Sequence, residues 1–321
     1  MANTLQVVTS PHIRDDRVST SRIMQDVLLA LLPAAVAGGC IFGLRALLVI
    51  AVSVLGCELF EYLACRVLKR SNPLRDCSAA VTGLLLALNL PPGLPLPMVI
   101  VGCFVAIVVV KQLFGGLGQN FANPAVTARI VLLTSFAGPM TTWVRPAGFH
   151  TVDAVTCATP LALLAQGGEL PDTLTLFLGN HGGCIGKTCA PALLLGGLYL
   201  VLRHVIRPTV PLLYVGGVAL GSWLLGFDPL YQVLSGGLLL GAIFMATDYT
   251  TSPITELGRV IYALGLALLT LVIRCFGSYP EGVSYSVLLM NLATPLIDRW
   301  CQPKPFGARS AAPAKKGGSA A

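Results

Sequence analysis

The sequence predicts an all-α integral membrane protein of about ten transmembrane helices, arranged as two inverted five-helix repeats. Two observations indicate the membrane class: mean hydropathy is +0.79, and charged residues make up 11% of the chain against about 25% in soluble domains. A third observation, the even distribution of apolar runs on either side of one polar loop, indicates the repeat. Lipid is therefore the expected solvent for most of the chain.

The apolar runs differ in length. A straight span needs about 20 apolar residues, which the first two runs reach and several later runs do not. Short apolar runs beside glycine and proline are typical of half-helices or tilted spans that line a protein interior. The runs cover residues 23–42, 46–64, 78–90, 97–110, 125–136, 189–202, 210–225, 230–246, 260–273 and 283–297.

These runs divide the chain into five segments. The first run follows a polar stretch without a small-residue cleavage site, so it predicts a retained helix and not a signal peptide. An odd number of spans in each half would make the second half enter the membrane upside down, as in inverted repeats. The segments are an N-terminal part (1–22), a first five-helix repeat (23–137), a loop (138–188), a second five-helix repeat (189–298) and a tail expected to be disordered (299–321).

The net charge of +7 is informative about the orientation of the chain in the membrane. If the N-terminus is cytoplasmic and the spans alternate, most of the 21 lysine and arginine residues fall in cytoplasmic segments, which sets topology. Both termini are then cytoplasmic and the loop 138–188 is extracytoplasmic. Basic residues do not cluster on a soluble face, so membrane lipid and not nucleic acid is the expected partner.

Cysteine and histidine do not predict a metal site. The ten cysteines include no C-x-x-C pair, and most are expected to behave as small buried hydrophobes. The four histidines are far apart in sequence and are expected at the surface. A centre shared with a partner chain stays open.

The polar loop contains the stretch Asp-Ala-Val-Thr-Cys-Ala-Thr-Pro at 153–160. Its pattern resembles the acceptor motif on which flavin transferases esterify the phosphate of FMN to a threonine hydroxyl. This resemblance implies that Thr159 carries covalent FMN. The alternative is an ordinary loop in which Pro160 begins a helix at its first position. The recognition sequence for attachment would comprise Asp153, Thr156, Ala158 and Pro160.

Acidic residues within or beside the spans form a second set of candidates. A charge at the bilayer centre costs about 2.5–3.5 kcal/mol on insertion scales, which makes such a residue a functional candidate. Glu58, the deepest of them, is the first choice for a cation pathway, and Asp248 is the second. Asp248 could instead cap a loop. Glu61 is expected at a helix end beside Arg66, and Asp298 is expected to pair with its neighbour at the interface.

Four further stretches extend the resemblance. They are 20–24, 76–87, 111–120 and 293–298. Together with the loop motif they resemble the D subunits of Rnf electron-transport complexes, in the NqrB/RnfD family, over nearly the whole chain. The B subunits of sodium-translocating NADH:quinone reductases are similar and remain the alternative within the family. In many family members an acidic residue lies near the position of Lys187, so this chain departs from the pattern there.

The resemblance implies a flavin-carrying subunit of an ion-translocating oxidoreductase in the bacterial inner membrane. Such a subunit relays electrons between ferredoxin and NAD, coupled to Na⁺ or H⁺ movement. A second, non-covalent flavin, riboflavin, is implied in the membrane part. The expected partners are the A, B, C, E and G subunits of the Rnf complex and a flavin transferase. From another class, a channel or transporter for a small solute could have the same fold, because fold does not determine function.

Overall fold

The computed structural model describes residues 19–70, 76–146, 157–166, 168, 171–277 and 282–302. The regular elements in these ranges are helices, which confirms the all-α prediction. They are α1 (Thr20–Phe42), α2 (Leu44–Val67), α3 (Ser78–Leu88), α4 (Leu96–Phe104, continued as a π-helix over Val105–Gln112), α5 (Pro124–Ser135), α6 (Ala137–Thr141), α7 (Pro160–Gln166), α8 (Thr173–Leu178), α9 (Ala190–Leu202), α10 (Thr209–Leu224), α11 (Pro229–Leu234), α12 (Leu238–Leu240, continued as a π-helix over Gly241–Met245), α13 (Glu256–Phe276) and α14 (Val283–Trp300).

Helices α1, α2 and α13 are long and apolar enough to cross a membrane. Their outer faces expose large apolar side chains, among them Leu29, Leu55 and Leu268 at 54%, 65% and 64%. So much exposed apolar surface is unfavourable in water and indicates contact with lipid. Five shorter apolar helices, α3, α4, α5, α9 and α10, accompany them. The number of ten spans and the inverted repeat stay predictions.

The apolar run 230–246 is not one continuous span, contrary to the sequence-based expectation. Gly236 and Gly237 interrupt it with φ values of +67° and +73°, and α12 begins only at Leu238. Glycine adopts this left-handed backbone readily because it has no Cβ. The break places the first turn of α12 inside the protein, where all of its residues are buried.

Short helices form the centre of the molecule. Every residue of α3 is buried, as is every residue of α12 and its π-helical continuation. The close approach of neighbouring helices depends on small residues, as in other membrane proteins. A Cβ added at Gly83 of α3 would lie 2.8 Å from the carbonyl oxygen of Ser53 on α2, and one added at Gly196 of α9 would lie 2.1 Å from the carbonyl oxygen of Ala30 on α1.

We expect Gly196→Ala to weaken the contact between α1 and α9. The new methyl group would meet backbone that cannot move aside, and overpacking of this kind typically costs about 1–3 kcal/mol. The measurement is thermal unfolding of the purified protein in detergent. Gly216→Ala on α10 is the matched control, because a Cβ there meets nothing within 4 Å. Equal melting temperatures for the two variants would contradict the close packing described here.

Candidate functional site

Thr159 lies in the wall of a cavity of about 630 Å³. This volume falls within the roughly 300–1,000 Å³ that is typical of cofactor clefts. The wall is formed by α5, the stretch 140–143, the segment 157–162, the loop 181–188 and the glycine pair before α12. The elements that form the wall are far apart in sequence, so only the tertiary fold creates the cavity.

Thr159 directly precedes α7 and also lines the cavity. Its carbonyl oxygen accepts from the N–H of Leu163 at 2.9 Å, and its Oγ1 accepts from the N–H of Ala162 at 3.3 Å. Pro160 occupies the first helical position, as the ordinary-loop alternative predicted. Thr159 nevertheless lines a cavity of cofactor size. The helix start and flavin attachment are therefore compatible.

Glycines on both sides allow the neighbouring backbone to approach the segment that carries Thr159 closely. A Cβ added at Gly182 would lie 2.2 Å from Sγ of Cys157, and one added at Gly236 would lie 2.3 Å from Cδ1 of Leu161. The N–H of Cys157 also donates to the carbonyl oxygen of Trp143 at 2.9 Å. Of the predicted recognition residues, Ala158 is exposed and Pro160 is buried. Asp153 and Thr156 lie outside the described residues.

Two polar atoms in the described part of the cavity wall are buried without a hydrogen-bond partner. They are Nδ1 of His181 and Oγ1 of Thr188. Burial lowers the pKa of His181 to about 4, so its imidazole is neutral at physiological pH. His181, which was expected at the surface, is half-buried. Leaving a buried polar group unsatisfied costs about 1–3 kcal/mol, so a polar group in the cavity would be stabilised by a hydrogen bond to either atom.

Two basic residues also line the cavity and are nearly excluded from solvent. Arg129 is 2% exposed and Lys187 is 8% exposed. A Cβ added at Gly237 would lie 2.3 Å from Cδ of Lys187, so glycine at that position makes room for the lysine. Cationic side chains are suited to bind phosphate. Neither residue is among those that the sequence predicted for a site, although an arginine within an apolar run is a signal of function.

A second cavity of about 290 Å³ lies at the opposite end of the same central helices. Along α5, Ala125 lines the smaller cavity and Arg129 lines the larger one. The two residues are four positions apart, which corresponds to about 6 Å of helical rise. Asn120, Asn123 and Asp248 contribute polar groups to the smaller cavity.

Among the residues that the structure describes, the most deeply buried acidic one is Glu61, on α2, which is 1% exposed. Its Oε1 lies 2.6 Å from Nζ of Lys111 and accepts from Nε2 of Gln112 at 2.8 Å. The same ammonium group lies 2.7 Å from Oγ of Ser78 at the start of α3. This network joins α2, α3 and the π-helical part of α4 around one ion pair.

The structure differs from the sequence-based expectations for the acidic residues. Glu58 is only half-buried, so it is not the residue most shielded from solvent. The expectation that Glu61 ends a helix beside Arg66 is wrong, because Glu61 pairs with Lys111. Asp298 accepts from the N–H of Ile254 at 3.1 Å.

Asp248 has the capping role that was its alternative. It is half-buried in the turn that follows α12. Its carboxylate accepts from the hydroxyl groups of Thr250 and Thr251 at 3.2 and 3.3 Å. Asp248 also lines the smaller cavity.

Comparison with known proteins gives consistent matches over nearly the whole chain. The family described as NQR2, RnfD, RnfE matches residues 6–307. The chain is similar to the D subunit of the Na(+)-translocating ferredoxin:NAD(+) oxidoreductase complex of Acetobacterium woodii, with 50% identity over 94% of this chain and 95% of the relative. It is also similar to the D subunit of the proton-translocating ferredoxin:NAD(+) oxidoreductase complex of Clostridium ljungdahlii, with 44% identity over 96% and 97%. A third relative is the D subunit of the ion-translocating oxidoreductase complex of Escherichia coli, with 36% identity over 95% and 99%.

Removing one partner of the buried ion pair should destabilise the protein strongly. We expect Glu61→Gln and Lys111→Met each to cost about 3–5 kcal/mol, because each leaves a buried charge without its counterion. The double variant should cost less than the sum, which a double-mutant cycle of thermal unfolding in detergent measures.

The matched control for this cycle is Glu256→Gln. Glu256 pairs with Arg207 at the surface, where the side chains are 55% and 67% exposed, so its loss should cost less than about 1 kcal/mol. Strictly additive effects of Glu61→Gln and Lys111→Met would show that the two charges do not interact.

Proposed function

Because the chain belongs to the NQR2, RnfD, RnfE family, we propose that it is the flavin-carrying membrane subunit of an Rnf-type ion-translocating oxidoreductase. Its relatives are named as D subunits of such complexes, and its apolar helices are those of a multi-pass membrane protein. The names of the first two relatives support electron transfer between ferredoxin and NAD. One of these names specifies Na⁺ and the other H⁺, so the coupling ion stays open.

The observation that carries this proposal is the position of Thr159 in a cavity of cofactor size. We propose that FMN is attached to its hydroxyl through a phosphoester, with Asp153, Thr156, Ala158 and Pro160 as the recognition sequence. A bound flavin supplies the capacity to accept and release electrons. The residues present fit such a group, because the wall contains two unsatisfied polar atoms and a largely apolar surface.

The residues around the cavity have separate roles in this proposal. Arg129 and Lys187 provide positive charge that stabilises the flavin phosphate. Leu133, Met140 and Trp143 provide apolar surface that limits the access of water. The glycines at 182 and 236 keep the segment of Thr159 against the wall.

We also propose that riboflavin binds non-covalently in the smaller cavity. Its volume of about 290 Å³ is near the lower end of cofactor clefts. Its asparagines are already engaged, since Asn123 caps α5 and Asn120 donates to the carbonyl oxygen of Ala122. The support for riboflavin is therefore the location of this cavity, one helical turn from the larger one.

The remaining features of the proposal follow from the family and from charge. The partners are the A, B, C, E and G subunits of the Rnf complex and a flavin transferase. The protein lies in the bacterial inner membrane with both termini cytoplasmic and Thr159 on the opposite side. The B subunit of a sodium-translocating NADH:quinone reductase is the alternative within the family, and the names of the relatives favour the Rnf type. A small-solute channel would leave Thr159 unmodified.

We expect Thr159→Asn to abolish covalent flavin without loss of the fold. Asparagine keeps a capping oxygen for α7 but provides no hydroxyl for a phosphoester. The measurement is flavin fluorescence of the denatured protein on a gel, after expression with the flavin transferase. Thr141→Ala is the matched control, because Thr141 lines the same cavity. Wild-type protein without fluorescence, or a Thr159→Asn variant that retains it, would refute the attachment. Flavin released from the wild type by denaturation would measure the second, non-covalent site.

We propose Glu58 and Asp248 as ion-pathway residues, and Glu58→Gln tests the first. The variant should slow ion uptake by vesicles that contain the whole complex, because it removes a negative charge from α2. Covalent flavin content should not change. Glu256→Gln, at an exposed position, is the control. Unchanged ion uptake in a fully assembled, flavin-loaded complex would exclude Glu58 from the pathway.

A further inference from the structure

The loop between α8 and α9 is part of the cavity wall and not a free surface loop. The N–H groups of Ile185 and Gly186 donate to the carbonyl oxygens of Leu90 and Leu88 at 3.1 and 2.9 Å. These bonds fix the loop against the end of α3. Residues 184–188 are buried as a result. The backbone of this part of the loop is therefore held against α3 by the protein itself.

The ends of this loop are close together and near Thr159. Gly179 has a φ of +91°, and a Cβ added there would lie 2.8 Å from the carbonyl carbon of Thr188. At Gly182, an added Cβ would lie 2.2 Å from Sγ of Cys157 and 3.7 Å from the carbonyl oxygen of Ala158. His181 thus directly precedes the residue that contacts the attachment segment.

We propose that His181 and Thr188 are positioning residues that donate hydrogen bonds to the flavin ring attached at Thr159 and thereby set its midpoint potential. This inference rests on the proposed function. Both side chains line the cavity, and Nδ1 of His181 and Oγ1 of Thr188 are buried without a partner. Each can donate a hydrogen bond, the imidazole through one of its two ring nitrogens and the threonine through its hydroxyl.

The direction of the shift in midpoint potential follows from the charge on the flavin ring. Reduction increases the negative charge on the ring, and hydrogen bonds to charged acceptors are stronger than those to neutral ones. A donor in the wall therefore stabilises the reduced ring more than the oxidised ring and raises its potential. The neutral state of His181, which follows from its low pKa, leaves the imidazole with one N–H to donate.

The test compares two amide substitutions at the same position. His181→Asn puts an amide near the position of Nδ1, whereas the longer side chain of His181→Gln puts it near Nε2. Asparagine and glutamine are both polar, so neither variant places an apolar side chain in the cavity wall. Thr188→Val removes the second donor with little change in volume. The control is His204→Asn, because His204 follows α9 at the end away from the larger cavity and has a φ of +56°, which asparagine tolerates.

The readout is an anaerobic redox titration of the covalent flavin in the complete complex, produced together with the flavin transferase. We expect His181→Gln and Thr188→Val to lower the ratio of reduced to oxidised flavin at a fixed applied potential by about threefold to tenfold, the range of one hydrogen bond. His181→Asn and His204→Asn should titrate like the wild type. Gel fluorescence confirms that every variant carries the flavin.

Three results would overturn the inference or the proposed function on which it rests. If His181→Gln and Thr188→Val carry covalent flavin and titrate like the wild type, neither residue sets the potential and the inference is wrong. If the wild type itself carries no covalent flavin, the proposed function is wrong. A shift in His181→Asn as large as that in His181→Gln would also refute the inference, because it would show that the Nδ1 position has no specific role.

Discussion

The centre of this protein depends on the hydrogen bonds of the buried guanidinium group of Arg129. From α5 it donates to the carbonyl oxygen of Asn89 at 2.9 Å, to Oγ of Ser284 on α14 and to Sγ of Cys184 at 3.8 Å. A buried charge without such acceptors would be strongly destabilising. Because Arg129 also lines the larger cavity, the bonds that satisfy its charge define one wall of the proposed site.

The short helices explain why cavities exist at all. Helices α3, α5, α9 and α12 have fewer than the roughly 20 residues that a straight span requires, so they end inside the protein. Irregular backbone at membrane depth is tolerated where it is buried or lines a cavity. These ends form the two cavities, and a single turn of α5 separates them. In the proposed function, this spacing brings two flavins close enough to exchange electrons.

The acidic residues show how far sequence reasoning reaches in a membrane protein. The cost of a charge in lipid identifies Glu58 and Glu61 as residues of interest. It does not say which of them is shielded from solvent, because the answer depends on the rotation of α2 against its neighbours. The partner of Glu61 is Lys111, 50 residues later on the π-helical part of α4. Such distant ion pairs require the tertiary structure.

The sequence by itself determined the all-helical membrane class, because composition and apolar runs report directly on the solvent that surrounds the chain. It also singled out Thr159, since the pattern that resembles a flavin-attachment motif is local and continuous. Only the tertiary structure revealed the cavity beside Thr159 and the unsatisfied groups of His181 and Thr188. The physical reason is that burial and hydrogen-bond satisfaction depend on residues that meet in space. The break at Gly236 and Gly237, likewise, separates two helices within a run whose hydropathy is continuous.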